Sequence, residues 1–563
     1  MKFFFRSRFH TLNCWISKLP GFSKQKNSIA FLNTAQFLGV LNDNIFKLAM
    51  VFLLIESLGQ TQASNILSAA GAIYVIPFLL FSSAAGILAD RFSKQRLLVA
   101  MKGAEIVIMT LALFVFGWRS EWGSYTLLFF LSMHSALFGP SKYGIIPELV
   151  SKENISRANG LITSFTYLAM ILGTFLASFL TDITHYNFVL IAGFCLAVAF
   201  AGFISAFGIR KTPSQGSDKK LNPFFVSEIY KTLKFCRERK HLLPAIFSAA
   251  FFLFLGAFTQ LNIIPFAMQS LGLSEVAGGY LFLSTALGIA FGAYLGGRAS
   301  RKRIELGLSC VTGLIMSFLL FALALFPHHL YFVIFCLVLI GICGGTFIVP
   351  FESFIQISSP DEKRGQVIAA GNFLSFTGVL IASFTLFFFS QVLGITSAAG
   401  FACVGVVTLL VTCTLFLRLA DHALPYLARK VVNPFYKVKT KNIELLEKSP
   451  NALLMLQKAS KSEILLLLSI LPDTRLFLIE ETPSFFGRFF YNITSVTPGI
   501  TQEQIASFLK EGERGCVFLK EDYTMEPPKK TSFFKELFTP TTSLYIQISN
   551  TNKETTITFL QKS

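Results

Sequence analysis

Twelve apolar stretches, each long enough to cross about 30 Å of hydrocarbon as a helix, constrain this chain more than any other feature. Six lie near 29–55, 66–88, 97–117, 124–146, 158–181 and 187–209. After a polar, basic stretch come six more, near 243–269, 276–297, 304–326, 331–352, 366–391 and 397–419. Lipid offers no partner to backbone N–H and C=O groups, so such stretches must close their hydrogen bonds internally, as helices. The expected fold is an all-α polytopic membrane protein of 12 transmembrane helices in a 6+6 arrangement. The composition agrees: 53% apolar residues, 64 phenylalanines and 14% charged residues, with a mean hydropathy of +0.60, rule out a disordered, collagenous or disulfide-scaffold chain.

The charge is unevenly placed. Residues 1–429 hold net +15 of the total +18, and residues 430–563 only +3. The basic residues are spread among the short gaps between apolar runs, which argues against nucleic acid as a partner. With the N-terminus inside, the inner segments contain 26 Lys and Arg residues and the outer loops only Arg119. The positive-inside rule then places both termini in the cytoplasm. Residues 1–28 are basic and aromatic and lack the apolar core and cleavage site of a signal peptide. They read either as a cationic segment lying on the membrane surface or as a disordered tail. Nine cysteines without a CxxC pair give no expectation of a disulfide framework or zinc site. No cofactor or metal is expected, and with no GxxxxGK[ST] run ATP is not expected to drive the protein directly.

The two sets of six also repeat. GILADRFSKQR at 86–96 and GAYLGGRASRKR at 292–303 occupy equivalent gaps at an offset of 206 residues. The turns ending in Arg157 and Arg364 are related by an offset of 207. This duplication resembles the major facilitator superfamily, whose loop between spans 2 and 3 has the pattern G-x-L-A-D-R-x-G-R-K. Gly86, Leu88, Ala89, Asp90 and Arg91 match it, while Ser93, Lys94 and Gln95 depart from it. The physical role of such a loop is a conformational latch of Gly86, Asp90, Arg91, Arg157 and Arg364. The Asp can accept from the exposed N–H groups of a neighbouring helix N-terminus, and the Arg can tie neighbouring spans. In the second copy Gly296 stands where Asp90 does, so that copy fits a solvated basic turn.

Charges inside spans are expensive and point to function. Span 1 carries Asn42, Asp43, Asn44 and Lys47 near mid-depth. Asp43 and Lys47 are four residues apart and share a helix face. They read either as a self-neutralised structural pair, or as a carboxylate facing a cavity with a lysine available to a phosphate. Lys142 is a second phosphate candidate or a snorkelling lysine. Gln260 and Asn262 could line the second half of a cavity. Lys102 and Glu105 read as a structural pair.

Two runs narrow the resemblance further. QFLGVLNDNIFK in span 1 and GPSKYGIIPELVSKENISRANGLITSFTYLAMILGT at 139–174 resemble the lysophospholipid transporter branch of the superfamily, over roughly residues 29–420. The resemblance implies a flippase of the cell (inner) membrane, not an enzyme, that returns lysophospholipids, chiefly 2-acyl lysophosphatidylethanolamine, to the cytoplasmic leaflet for re-acylation. It also implies as partners membrane lipids and a separate acyltransferase or acyl-acyl carrier protein synthetase. Another amphipathic drug or metabolite, or a membrane-tethered acyltransferase, is the alternative.

The composition changes near residue 430. Short apolar runs (NALLMLQ, TRLFLIE, GCVFLK, SLYIQIS) alternate with segments such as SEILLLLSIL, which predicts a small cytoplasmic α/β domain. Its order resembles the glycerolipid acyltransferase family. Where that family has a catalytic His and Asp, this chain has Lys458 and Glu463; Ser460 remains, and Glu521 falls in the phosphate-binding element. A lysine, with a reference pKa of about 10.4, stays charged and cannot take a proton near neutral pH, so the resemblance implies an inactive acyltransferase-like domain. The expected domains are 1–28, an interfacial segment; 29–209, the first six-helix half; 210–242, a basic cytoplasmic loop; 243–420, the second half; 421–440, a linker; and 441–563, the acyltransferase-like domain.

Overall fold

The computed structural model describes residues 28–217, 219, 225–300, 303–427, 429 and 430, together with the backbone of seven strands between 437 and 561. The first half is built from α1 (Ser28–Leu58), α2 (Ala63–Arg91), α3 (Lys94–Gly117), α4 (Glu121–Gly144), α5 (Ile155–Ile183) and α6 (Phe188–Phe207). A short helix, α7 (Phe225–Arg237), follows. The second half comprises α8 (Leu242–Leu271), α9 (Glu275–Ala299), α10 (Leu306–Leu325), α11 (Leu330–Ser358), α12 (Arg364–Phe387) and α13 (Ser397–Arg418), and α14 (Ala420–Leu427) comes next. Among the described residues, 11 helices are long and apolar enough to cross a membrane. The remaining expected span, α4, is 24 residues long, but Ser124, Ser132, His134, Ser135 and Lys142 lower its hydropathy. Several of these polar groups turn inward, where they are used below.

Two helices of the first half, α4 and α6, begin at side-chain caps. Ser120 accepts from the Gly123 N–H at 3.1 Å and Asn187 from that of Leu190 at 3.3 Å, satisfying donors that a helix start leaves unpaired. Within the first half α1 packs on α5 and α6, α2 on α4, and α3 on α4 and α6. The apolar core between them includes Ile45, Phe46, Met50, Met109 and Phe116, with Phe46 and Phe116 stacked at 5.3 Å. In the second half α8 packs on α12, and α9 on α11. Gly288 and Gly292 of α9 face Gly341 and Gly345 of α11, and a Cβ on any of them would lie 2.0–2.4 Å from the partner's backbone. Small residues four apart on both helices let the backbones approach, which drives helix association where lipid removes the hydrophobic incentive. The halves meet along α2 and α12, and along α5 against α9 and α11.

The chain divides into two compact units, Met1–Ile304 with Val311–Val411, and Glu305–Cys310 with Thr412–Ser563. In the second unit Arg429 pairs with Glu305 at 2.6 Å. It also contains a seven-stranded sheet of β1 (Lys437–Lys441), β2 (Leu453–Gln457), β3 (Thr474–Leu478), β4 (Val496–Pro498), β5 (Arg514–Leu519), β6 (Ser543–Thr551) and β7 (Glu554–Gln561). The order is β1-β7-β6-β2-β5-β3-β4, parallel throughout except for the β6–β7 hairpin. The segment expected as a linker, 421–440, holds most of α14 and the start of β1. The sequence KVKTK has no apolar signature and becomes a strand by pairing with β7. Lys458, Ser460, Glu463 and Glu521, and the segments between the strands, lie outside the described residues.

Candidate functional site

Asp43 sits at the midpoint of α1, fifteen residues from either end. Its side chain is partly accessible, and Oδ2 accepts a 2.7 Å hydrogen bond from the Ser135 hydroxyl of α4. Oδ1 has no partner among the described residues. Lys47, one turn on, does not neutralise it: the ammonium lies over the Tyr74 ring of α2, 4.9 Å from its centroid, a cation–π contact. The two side chains thus diverge toward α4 and α2 rather than closing on each other. Tyr74 continues into Phe78, which stacks on Phe376 of α12 at 3.9 Å between ring centroids. This face of α1, α2 and α4 therefore looks toward the other half.

Toward the end of the bundle where the basic gaps lie, the same space contains Lys142 and Glu352. The Lys142 ammonium lies 4.5 Å over the Tyr143 ring and feels the charges of Glu352 and then Asp43. Glu352, on α11, accepts from the Thr163 hydroxyl of α5 at 3.2 Å. Among the described residues neither Lys47 nor Lys142 has an ion pair within 4.0 Å. Two carboxylates and two ammoniums, contributed by both halves, thus face one interior with hydrogen-bonding capacity to spare. An isolated buried charge costs several kcal/mol, about, unless it is paired, so this set is suited to receive a ligand that carries both signs.

The other polar candidates point elsewhere. Asn42 is buried within the first half and donates to Glu105 at 2.9 Å; Glu105 in turn pairs with Lys102 at 2.6 Å, both of them buried. Asn44 donates to the Val40 carbonyl at 2.7 Å, and its Cβ packs against Gly173 of α5. Asn262 is buried and donates to the Ser397 carbonyl at 2.9 Å, tying α8 to the start of α13. Gln260 is exposed. Residues 42, 43 and 44 are about 100° apart around the helix, so three adjacent polar side chains necessarily face three surroundings.

At the basic end the halves touch closely. Asp90, the last acidic residue of α2, is fully buried and accepts from the N–H groups of Gly365 at 2.6 Å and Gln366 at 3.0 Å, and from the Gln366 amide at 3.1 Å. A carboxylate here satisfies donors at the α12 N-terminus and meets the positive end of its dipole. Gly86, one turn earlier, allows the contact: a Cβ there would meet Ala369, Gln366 and Gly365 at 2.7–2.8 Å. On the opposite seam Gly160 of α5 faces Gly297 of α9, and a Cβ on Gly160 would lie 2.6 Å from the Ala293 carbonyl oxygen. Asn159 donates to Ser353 at 3.2 Å and to Gln356 at 3.0 Å on α11, and the Gln356 amide returns a 2.8 Å bond.

Among the described residues twelve long helices in two sixes are joined along these two seams, and residues 32–383 match the Major Facilitator Superfamily family model. The chain belongs to the Major Facilitator Superfamily. It is a multi-pass membrane protein with that superfamily's fold. Relatives include the lysophospholipid transporter LplT of Escherichia fergusonii, 28% identical over 60% of this chain and 81% of the relative. LplT of Cronobacter sakazakii is 27% identical over 63% and 85%. Among solved structures, the human organic anion transporter MFSD10 superposes with a TM-score of 0.59 at 14% identity, over 70% of this chain and all of that one. The Escherichia coli fucose:proton symporter FucP gives 0.56 at 13%, over 70% and 99%.

Other residues of this facilitator fall differently from the sequence reading. Arg91 is exposed and lies against the Phe92 ring rather than tying spans. Lys94 takes that part: it is buried and pairs with Glu148 at 2.6 Å, and Arg210 donates to the Glu148 carbonyl. Arg364 is buried and donates to the Gln356 carbonyl at 2.8 Å and to Asp361, capping the end of α11. Arg157 is exposed beside the α5–α9 seam. Glu352 and Tyr74 were not anticipated. Glu352 could have been found as the acidic residue that falls within a predicted span; Tyr74 has no distinguishing sequence signal.

Proposed function

We propose that this facilitator is a secondary transporter of lysophospholipids, with 2-acyl lysophosphatidylethanolamine as its foremost cargo, moved across the inner membrane to the cytoplasmic leaflet for re-acylation. The observation that carries the reading is the four-charge set of Asp43, Lys47, Lys142 and Glu352, with the Phe78–Phe376 stack reached from Lys47 through Tyr74. A phosphoethanolamine head presents one anion and one cation. Lys47 and Lys142 would meet the phosphate, and Asp43, with Oδ1 unpaired, and Glu352 the ammonium. The single acyl chain would be accommodated by aromatic surface such as Phe78 and Phe376. The names of the relatives point to the same cargo class. In this reading the basic end is cytoplasmic and the protein is closed there. Asp90 is the latch whose release from α12 lets the halves rock about the central site.

The tail beyond residue 440 is proposed to be an inactive acyltransferase relative, because Lys458 replaces the base. Re-acylation would then fall to a separate acyltransferase or acyl-acyl carrier protein synthetase. The test uses labelled lysophosphatidylethanolamine added outside spheroplasts that contain an inner acyltransferase. Labelled diacyl lipid is the expected product, and its absence would turn the reading to another amphipathic cargo. Asp43→Asn, which removes the charge and keeps the Ser135 hydrogen bond possible, is expected to lower the initial rate at least tenfold, equivalent to about 1.4 kcal/mol of lost interaction. A rate unchanged by Asp43→Asn would remove that residue from the site.

A further inference from the structure

The α5–α9 seam carries, on its outer side, a group of residues that the transport cavity does not use. Arg157 and Leu161, one turn apart on α5, face Tyr294 and Arg298, one turn apart on α9, around a cavity of about 280 Å³. Both guanidiniums are exposed, and among the described residues neither has an ion-pair partner. Two cations held beside one cavity repel each other unless an anion lies between them. Arginine's planar fork matches a phosphate bidentately. Away from the arginines the helix surfaces turn apolar: Phe165 continues the α5 face, while Phe291 and Leu287 precede Tyr294 on α9, and all three are exposed. Tyr294 has the amphipathic character of a residue at the headgroup level. A cationic head region above an aromatic and aliphatic wall has the two-part chemistry of one phospholipid. The volume is at the lower end of ligand-sized cavities, about 300 Å³: it holds a headgroup, and the acyl chains lie along the helix wall.

We infer that Arg157 and Arg298 form a binding site for the phosphate of an anionic phospholipid in the leaflet at the basic end. The site goes beyond the cargo reading and is independent of which cargo the transporter moves. Arg157 belongs to the first half and Arg298 to the second, and the close approach of Gly160 to Gly297 is what brings them together. A lipid phosphate bound between them therefore bridges the halves and favours the state closed at this end, by the mass-action rule for a ligand that prefers one conformation. Anionic lipid is enriched in the cytoplasmic leaflet, so the composition of the leaflet would set the resting balance of the transporter.

The test follows the thermal midpoint of the full-length protein in neutral detergent micelles containing a rising fraction of phosphatidylglycerol. The wild type is expected to show an upward, saturating shift, phosphatidylethanolamine none, and the Arg157→Gln/Arg298→Gln protein to lose most of it. An undiminished shift in that double variant would overturn the site, and an equal shift produced by inorganic phosphate alone would overturn the assignment to a lipid. Should the double variant fail to fold, a photoactivatable phosphatidylglycerol answers the same question in the wild type. Labelling of the peptides that contain Leu161 or Tyr294 supports the site, and labelling confined to other surfaces refutes it.

Discussion

The two seams that join the halves descend from one duplicated pattern yet are held by different chemistry. Along α2 and α12 the contact is a charge-assisted cap: the Asp90 carboxylate accepts from Gly365 and Gln366, and Lys219 reaches the Gln366 side chain at 2.7 Å while pairing with Glu228 of α7 at 2.6 Å. Along α5 and α9 no carboxylate occupies the equivalent place. Gly296 stands there and faces Thr346 of α11 in its own half, while Gly297 meets Gly160 of α5 backbone to backbone, and Asn159, Ser353 and Gln356 supply neutral hydrogen bonds. An N-terminal cap on a helix is directional and can be released as a unit. A glycine contact is nearly all shape, and its strength depends on distance to a fraction of an ångström. The comparison separates a switchable seam from a packed one.

The largest effect is expected from Gly160→Leu. The Ala293 oxygen and the Gly297 Cα would lie 2.6 and 2.8 Å from its Cβ, and backbone cannot give way, so closure at the basic end should cost more than about 3 kcal/mol, above the usual range for overpacking. Uptake should be abolished while the protein still inserts; normal uptake would show that the α5–α9 seam does not have to close. Asp90→Ala comes next. Loss of a cap is worth up to about 2 kcal/mol, or roughly thirtyfold in the ratio of closed to open forms. Cysteines placed at the basic end should become reactive in proportion, and Asp90→Asn should fall between, because its amide oxygen still accepts.

A smaller change tests whether the asymmetry is merely a missing residue. In Gly296→Asp, a Cβ would meet the Thr346 Cα at 3.0 Å, so the added carboxylate should not rebuild a latch and should destabilise by about 1 kcal/mol, the low end of overpacking. A raised thermal midpoint would contradict that. The smallest effect is assigned to Arg91→Gln. The side chain is exposed against Phe92, and a shift beyond about 0.5 kcal/mol would mean that Arg91 ties the spans after all.

Asp90 was legible because its chemistry is local to a helix end: whatever helix start packs beside it offers unpaired N–H groups. Arg91 and Lys94 were not. Both are basic residues in a short turn, and only the approach of Glu148, from a segment 54 residues away, decides which one is buried. Span 1 teaches the same lesson at closer range. The run Asn42-Asp43-Asn44 marks mid-membrane polarity, yet one residue looks to Glu105, one to Ser135 and one to its own Val40 carbonyl.

The sequence by itself determined the apolar spans and the six-plus-six duplication, because both follow from hydropathy and spacing along the chain, and it indicated the superfamily through the resemblance of GILADR at 86–91 to that family's loop. The apolar runs that became β2, β3, β5 and β6 were marked in the same way. Rotation of each helix about its axis was left to the tertiary structure. In a span apolar on nearly every side, hydropathy alone does not fix that angle; the close approach of small residues and the need of each buried polar group for a partner do. That rotation brings Asp43, Lys47, Lys142 and Glu352 to one interior and sends Asn42 and Asn262 into the packing.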